Sequence, residues 1–250
     1  MPRFDILLAR NLPASRRNVI KLFRSGRVSV LGDTVPCDPK HRIAPAELPI
    51  TVLVGERPVV LYDRYHVLQH KPIGVVTALR DARHPTAYES LHGSPLWHEL
   101  RPVGRLDRMT SGLLLWTTEG ALLHRITHPR YAVPRAYHVA LDRPFGPVSP
   151  DLELDDGHRP KILGLDVLDP QALHPAVTTV EEARVFASIT IASGRFHEVR
   201  RIFAALGAEV VALARVAFGP IELPRDLPCG HARAVDLHEA FAGLSPKSPP

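Results

Sequence analysis

Three stretches of this sequence combine residue types that could do chemistry. In "GRLDRMTSGLLLWTTEG", residues 104 to 120, Asp107 lies between Arg105 and Arg108, and the apolar run Leu113, Leu114, Leu115 and Trp116 follows closely. Neighbouring cations favour the ionised form of a carboxyl. That suits a group that attacks an electrophilic carbon or removes a proton, and it suits a structural ion pair equally well. In "ASGRFHEVRRIF", Arg195, Arg200 and Arg201 stand at a strand-to-helix junction. There the free N–H groups and the helix dipole add to side-chain charge and make an anion site. In "HPRYAVPRAYHV", Tyr137 falls in a basic strand, where its ring could stack on a nucleobase.

Other chemistries find no support. The sequence has no glycine-rich phosphate loop and no Gly-x-Ser-x-Gly elbow. His124 and His128 are spaced to share a helix face, but neither a third ligand nor the usual glutamate accompanies them. No metal and no cofactor are therefore expected. Cys37 and Cys229 lie far apart and read as free thiols. No apolar run approaches the roughly 20 residues that span a bilayer.

The 250-residue chain carries a net charge of +5 and a pI near 9.5, which favours a polyanionic partner. Residues 6 to 32 hold Arg10, Arg16, Arg17, Lys21, Arg24 and Arg27 with no acid among them. A transit peptide could share that composition, but this stretch leads directly into a hairpin-like segment that a cleaved leader would not need.

The elements that must position these residues follow from pattern. "FDILLARNL" reads as a helix stopped by Pro13, and Ser15 caps a second, "RRNVIKLFRS", ended by Gly26. "RVSVLGDTV" reads as a hairpin around Leu31-Gly32-Asp33, "ITVLV" as a third strand, and "GERPVVLYD" as a linker. Beyond it, "YHVLQHK", "GVVTA", "GLLLWTT", "RAYHVALD", "RVFASITIA" and "EVVALARVAFG" read as strands. "TAYESLH", "EGALLHRITH" and "FHEVRRIFAAL" read as helices. Residues 143 to 183 resist assignment, and "SPKSPP" is expected to be disordered. The order suggests an α+β fold around a mixed, mostly antiparallel sheet with flanking helices.

The first 55 to 60 residues, through "SRR…FRSGRVSVLG", resemble the S4-like RNA-binding domain. "KPIGVVTA", "GRLDRMTSGLLLWTTEG", "HRITHPRY…RAYHV", "SGRFHEVRRIFAALG" and "ARVAFGPIEL" then occur in the order found in ribosomal RNA pseudouridine synthases. The likeness is to the branch that carries an S4-like domain and modifies small-subunit rRNA. The domain organisation it implies is an S4-like domain over residues 1–60, a synthase domain over 61–243 and a tail over 244–250. Asp107 falls on the family's catalytic aspartate, Tyr137 on the tyrosine that stacks on the target uracil, and Arg200 on the basic residue that pairs with the aspartate. Arg105 falls on the arginine that handles the extruded nucleotide. Arg201, with Arg16, Arg17, Lys21, Arg24 and Arg27, completes the implied RNA-binding set.

Two departures stand out. Pro134-Arg135-Ala136-Tyr137 replaces the common Glu-Lys-Thr-Tyr, and Glu198 stands where glutamine is frequent. The implied partner is ribosomal RNA or a pre-ribosomal particle, met in the cytoplasm by a monomer with no membrane attachment. Alternatives are a large-subunit rRNA synthase and a non-catalytic rRNA-binding assembly factor. A nuclease would want clustered carboxylates for metal, and the sequence clusters none.

Overall fold

Two short amphipathic helices, α1 (Phe4–Asn11) and α2 (Arg16–Arg24), open the chain. The Ser15 hydroxyl accepts the Asn18 N–H at 3.3 Å, as an N-cap should, and Gly26 at φ +64° ends the second helix. Strands β1 (Val28–Val30), β2 (Ile50–Val54) and β3 (Arg57–Leu61) form an antiparallel sheet in that order. Phe4, Leu7, Leu8, Val19, Val52 and Leu61 fill the core between helices and sheet. In this computed structural model, residues 1–32, 34–178 and 181–244 are described. The chain divides into one unit of Met1–Tyr65 with Gly93–Leu100, and a second of His66–His92 with Arg101 onward.

Two sequence expectations fail in the first unit. No local hairpin forms at 28–35; β1 pairs instead with β2, Val28 opposite Val54. Val35 is drawn into the core, and Asp33 lies outside the described residues. "GERPVVLYD" is not a linker but β3, joined to β2 by a tight turn at Gly55-Glu56. Pro58 misled the reading: on an edge strand its missing N–H removes no essential ladder bond.

The second unit is built on one mixed sheet. Its strands are β4 (His66–Lys71), β5 (Arg101–Val103), β6 (Ser111–Thr117), β7 (Arg135–Leu141), β8 (Ile162–Val167), β9 (Val185–Ile191), β10 (Val210–Phe218), β11 (Ile221–Glu222) and β12 (Ala232–Ala234). Helices α3 (Gly120–Thr127), α4 (Glu198–Ala205) and α5 (Leu237–Ala240) accompany them. The strand order is β12-β4-β6-β10-β7-β9-β8, with β5 on β6 and β11 on β10. Only β6–β10 is parallel among these pairs. All of β6 is buried, which explains its unbroken apolar run: a strand covered on both faces needs no polar alternation. Leu113, Leu115, Ile126, Phe218 and Phe241 share one cluster. Trp116 donates its Nε1–H to Gln69 at 2.8 Å, and Gln69 donates in turn to Ala87 O and Ser90 Oγ.

"GVVTA" is no strand; Val76 makes only an isolated bridge to Thr86. "TAYESLH" supplies only a single 3-10 turn, Glu89–Leu91, because the Glu89 carboxylate accepts from the Thr86 N–H and hydroxyl and closes the turn locally. The difficult stretch 143–183 contributes β8 at the sheet edge, and β5, β11, β12 and α5 were too short to read. The "SPKSPP" tail lies outside the described residues.

Candidate active site

Asp107 sits on the loop between β5 and β6, and that loop is held from below. Thr77, 4% exposed, donates its hydroxyl to Leu106 O at 2.9 Å and accepts the Leu106 N–H at 3.1 Å. The Gly74 N–H reaches Arg108 O, and the Thr110 N–H closes a turn onto Asp107 O. Lys71, fully buried, donates Nζ to Thr110 O at 2.8 Å and Pro72 O at 2.9 Å. Burial pushes its pKa down to about 8, while Asp107 pulls it back up. A lysine and a threonine thus fix the backbone on either side of one carboxylate.

That carboxylate stands at a cavity of about 560 Å³. The basic side chain within 4 Å of it among the described residues is His197, Nε2 to Oδ2 at 3.6 Å. Neither Arg105 nor Arg108 forms an ion pair with it; both are exposed, and Arg105 lines the cavity. Arg200 is close enough to feel Asp107 electrostatically but does not bond it. Its Nη1 donates to Val210 O at 2.8 Å and its Nη2 to Met109 O at 3.1 Å, so it braces α4 and β10 to the Asp107 loop. Burial lowers the Arg200 pKa, and Asp107 and Glu209 oppose the shift. His197 holds a left-handed backbone at φ +52°, and its ring stacks 3.8 Å from that of Phe196, which is 75% exposed.

Tyr137 forms a wall of the cavity from β7. Directly opposite it on β10 is Arg215, which also lines the cavity and is 1% exposed. The neighbouring contact depends on Gly112 at φ +102°, where an added Cβ would meet Arg215 O at 2.2 Å. Any other side chain would force β6 and β10 apart. Arg135, at the start of β7, donates to Val133 O and Ser193 O and supplies a further guanidinium to the cavity.

Glu198 now has a role. It is 3% exposed, accepts the Arg195 N–H at 2.9 Å and meets His158 Nε2 at 2.8 Å. It therefore closes the first turn of α4 and anchors part of the 143–183 segment. The structure does not bring Arg201 to the cavity. One position along the helix from Arg200, it points elsewhere, pairing with Asp155 and Asp156 and holding Asp156 down to about 2.

In the first unit, Arg16, Arg17, Lys21, Arg24 and Arg27 are all exposed. Arg16 is already engaged, Nε to the buried Asp5 at 2.8 Å. Burial would raise the Asp5 pKa, but Arg16 and Arg3 outweigh it and hold the carboxyl below its ordinary value. Among the described residues, Arg17, Lys21, Arg24 and Arg27 carry no ion pair. The His124 and His128 rings stand 5.0 Å apart, but His128 lies just past the end of α3 in extended backbone, so the two do not share a helix face as expected. The grouping with converging ligand atoms is a different one, His66, Glu119 and His238, within 4.8 Å and outside the cavity lining.

Sequence reasoning named Asp107, Arg105, Tyr137 and Arg200, and the cavity gathers all four. It missed Lys71, Thr77, His197 and Arg215. One signal was available: an arginine in the otherwise apolar "EVVALARVAFG" is a charge placed where a strand is buried.

The site thus joins a partly exposed carboxylate to several guanidiniums around one cavity, a setting suited to an anionic ligand. The chain matches the RNA pseudouridylate synthase family over residues 65–205 and belongs to it; it is a pseudouridine synthase, an isomerase. Ribosomal small subunit pseudouridine synthase A of Yersinia pestis is 33% identical over 244 residues, covering 95% of this chain and 96% of the relative. The protein of that name from Escherichia coli strain K12 is 34% identical over 243 residues, covering 95% and 97%. A crystal structure of a pseudouridylate synthase superposes with a TM-score of 0.55 at 26% identity, covering 96% of this chain and 98% of that one.

Proposed function

We propose that this enzyme converts a uridine of small-subunit ribosomal RNA to pseudouridine, with Asp107 as its catalytic carboxylate. The observation that carries this reading is the Asp107 carboxylate, partly exposed and rigidly backed, at the mouth of a cavity walled by Tyr137 and arginines. The reaction breaks N1–C1′ and makes C5–C1′ with no net loss of atoms and no redox agent. An ionised carboxylate either attacks C1′ or removes the C2′ proton, and in both routes the ring departs with the bonding pair. The target base must first leave its stack, at a cost of a few kcal/mol. Arg105, exposed at the cavity, fills the vacated space or holds the backbone, and Tyr137 lies against the ring. Arg200 fixes the loop that carries Asp107 and adds a positive charge beside it.

The first unit acts as an S4-like RNA-binding domain, with Arg17, Lys21, Arg24 and Arg27 facing phosphates. The second acts as the synthase domain. The names of the two ribosomal relatives, each similar along nearly its whole length, support ribosomal RNA of the small subunit as substrate. The enzyme works in the cytoplasm as a monomer and uses no cofactor.

Pseudouridine mapping of total rRNA tests this in cells lacking the gene, complemented with the wild type or with Asp107→Asn. One small-subunit site should vanish in the deletion and return only with the wild type. Return with the variant would make the protein a non-catalytic binding factor, and loss of a large-subunit site would move the substrate.

A further inference from the structure

Arg215 is the most deeply buried cation at the cavity. Its Nε–H donates to Leu113 O at 2.9 Å, and its guanidinium lies 5.0 Å from the Phe218 ring centroid. The Tyr137 hydroxyl is its hydrogen-bonding and electrostatic neighbour. Nη2, however, is buried with no hydrogen-bond partner, and among the described residues no carboxylate pairs with this side chain. Arg135 lies over the same Phe218 ring at 5.1 Å, so two like charges meet one aromatic ring. Burial, with Arg135, pushes the Arg215 pKa down against the pull of Tyr137. Leaving a charged donor unpaired in the interior is costly. A ligand acceptor entering the cavity would relieve that cost.

We propose that Arg215 reads the far edge of the extruded uracil, its guanidinium presenting an N–H to the ring carbonyl opposite the glycosidic bond. This rests on uridine being the substrate. Asp107 must address the sugar from the partly exposed mouth, so the base enters first and its distal edge reaches the buried guanidinium. In uridine that distal group is the C4 carbonyl. A guanidinium offers donors and no acceptor. Cytosine presents an amino donor at the same place and leaves both groups unpaired.

The contact is also regained after the ring turns. N1–C1′ breaks with its electron pair passing to the ring, whose negative charge spreads over N1 and the two carbonyl oxygens. Turning the ring about its N3–C6 axis brings C5 to C1′ and exchanges the positions of O4 and O2. C5–C1′ then forms, the C5 proton is lost and N1 gains one. A fixed donor opposite the sugar therefore meets one carbonyl before the turn and the other after it, each carrying negative charge while the ring is free of C1′. Arg215 would hold the free ring at either end of its rotation and release it in between.

The test uses the full-length enzyme and a target RNA fragment carrying uridine or cytidine at the modified position. Wild type should bind the uridine RNA about tenfold more tightly, and Arg215→Met should bring that ratio close to one. The same variant should raise KM for the uridine RNA by up to about tenfold and in addition lower kcat by about 100-fold, because the contact strengthens when charge develops on the ring after bond cleavage. Arg215→Lys should recover part of the rate. A purely structural arginine would weaken both RNAs alike and leave their ratio intact, and that result overturns the proposal. If Arg215→Met does not fold, the wild-type ratio decides alone: equal binding of the two RNAs is incompatible with a donor-only reader. Failure of the enzyme to modify any rRNA would instead refute the function proposed above.

Discussion

His197 Nε2 faces Asp107 Oδ2 at 3.6 Å, and no arginine takes that place. The sequence puts two arginines beside the aspartate and a third in the matching helix, yet the basic side chain facing it comes from the residue just before α4. His197→Ala is expected to lower kcat by less than about tenfold, since Arg200 still reaches Asp107 through space and a partly exposed pair contributes little. Asp107→Asn should remove activity altogether. Equal losses in the two variants, measured by single-turnover assay, would mean that the imidazole takes part in the chemistry itself.

Gly112 admits no side chain. A Cβ there would lie 2.2 Å from Arg215 O at a φ of +102°. Gly112→Ala should cost about 3 kcal/mol or more, from overpacking and backbone strain together. Thermal unfolding would then fall by roughly 6 °C or more. A drop of a degree or two would show that β6 and β10 can separate cheaply.

The exposed face of α2 and the turn after it should meet phosphates. Replacing Arg17, Lys21 and Arg24 with alanine is expected to weaken RNA binding and to reduce its logarithmic salt slope by about 0.7 per lost contact. Arg16→Ala should instead lower stability, because it leaves Asp5 buried with only Arg3. An unchanged slope in the triple variant would take this face out of the interface.

Lys71 should leave a signature at alkaline pH. Its folded pKa of about 8 lies below the ordinary 10.5. The burial penalty on its charge is present in full below pH 8 and is relieved as pH rises from 8 to 10.5, where the unfolded chain still binds the proton. Relative to Lys71→Met, the wild type should therefore gain stability across that window, by up to about 1.4 kcal/mol per pH unit. Denaturant unfolding of both proteins at several pH values checks the sign. A constant difference would mean that the lysine titrates normally.

Much of this was legible in advance. The strands β6, β7, β9 and β10 carry long apolar or alternating runs, α2 carries its own cap and stop, and α4 ends at Gly207, so local pattern sufficed. Asp107, Tyr137 and Arg200 could be named because they sit in distinctive stretches. Lys71 and Arg215 could not be given roles, since a cation inside a β pattern does not disclose whether it faces solvent or a cavity. His197 owes its place to a single left-handed residue, which no periodicity encodes. The short β3 was lost to its proline, and the 28–35 hairpin failed because strand partners are chosen by the whole sheet.

The clamp of Thr77 on Leu106, with Lys71 on Thr110, makes the site depend on the sheet. Both tethers come from the end of β4 and the segment just after it, so they can close only once β4 has zipped onto β6 in register, Lys71 opposite Gly112. The fixing of the Asp107 loop is therefore tied to that pairing, so a change that loosens β4 from β6 also loosens the backbone beside the carboxylate.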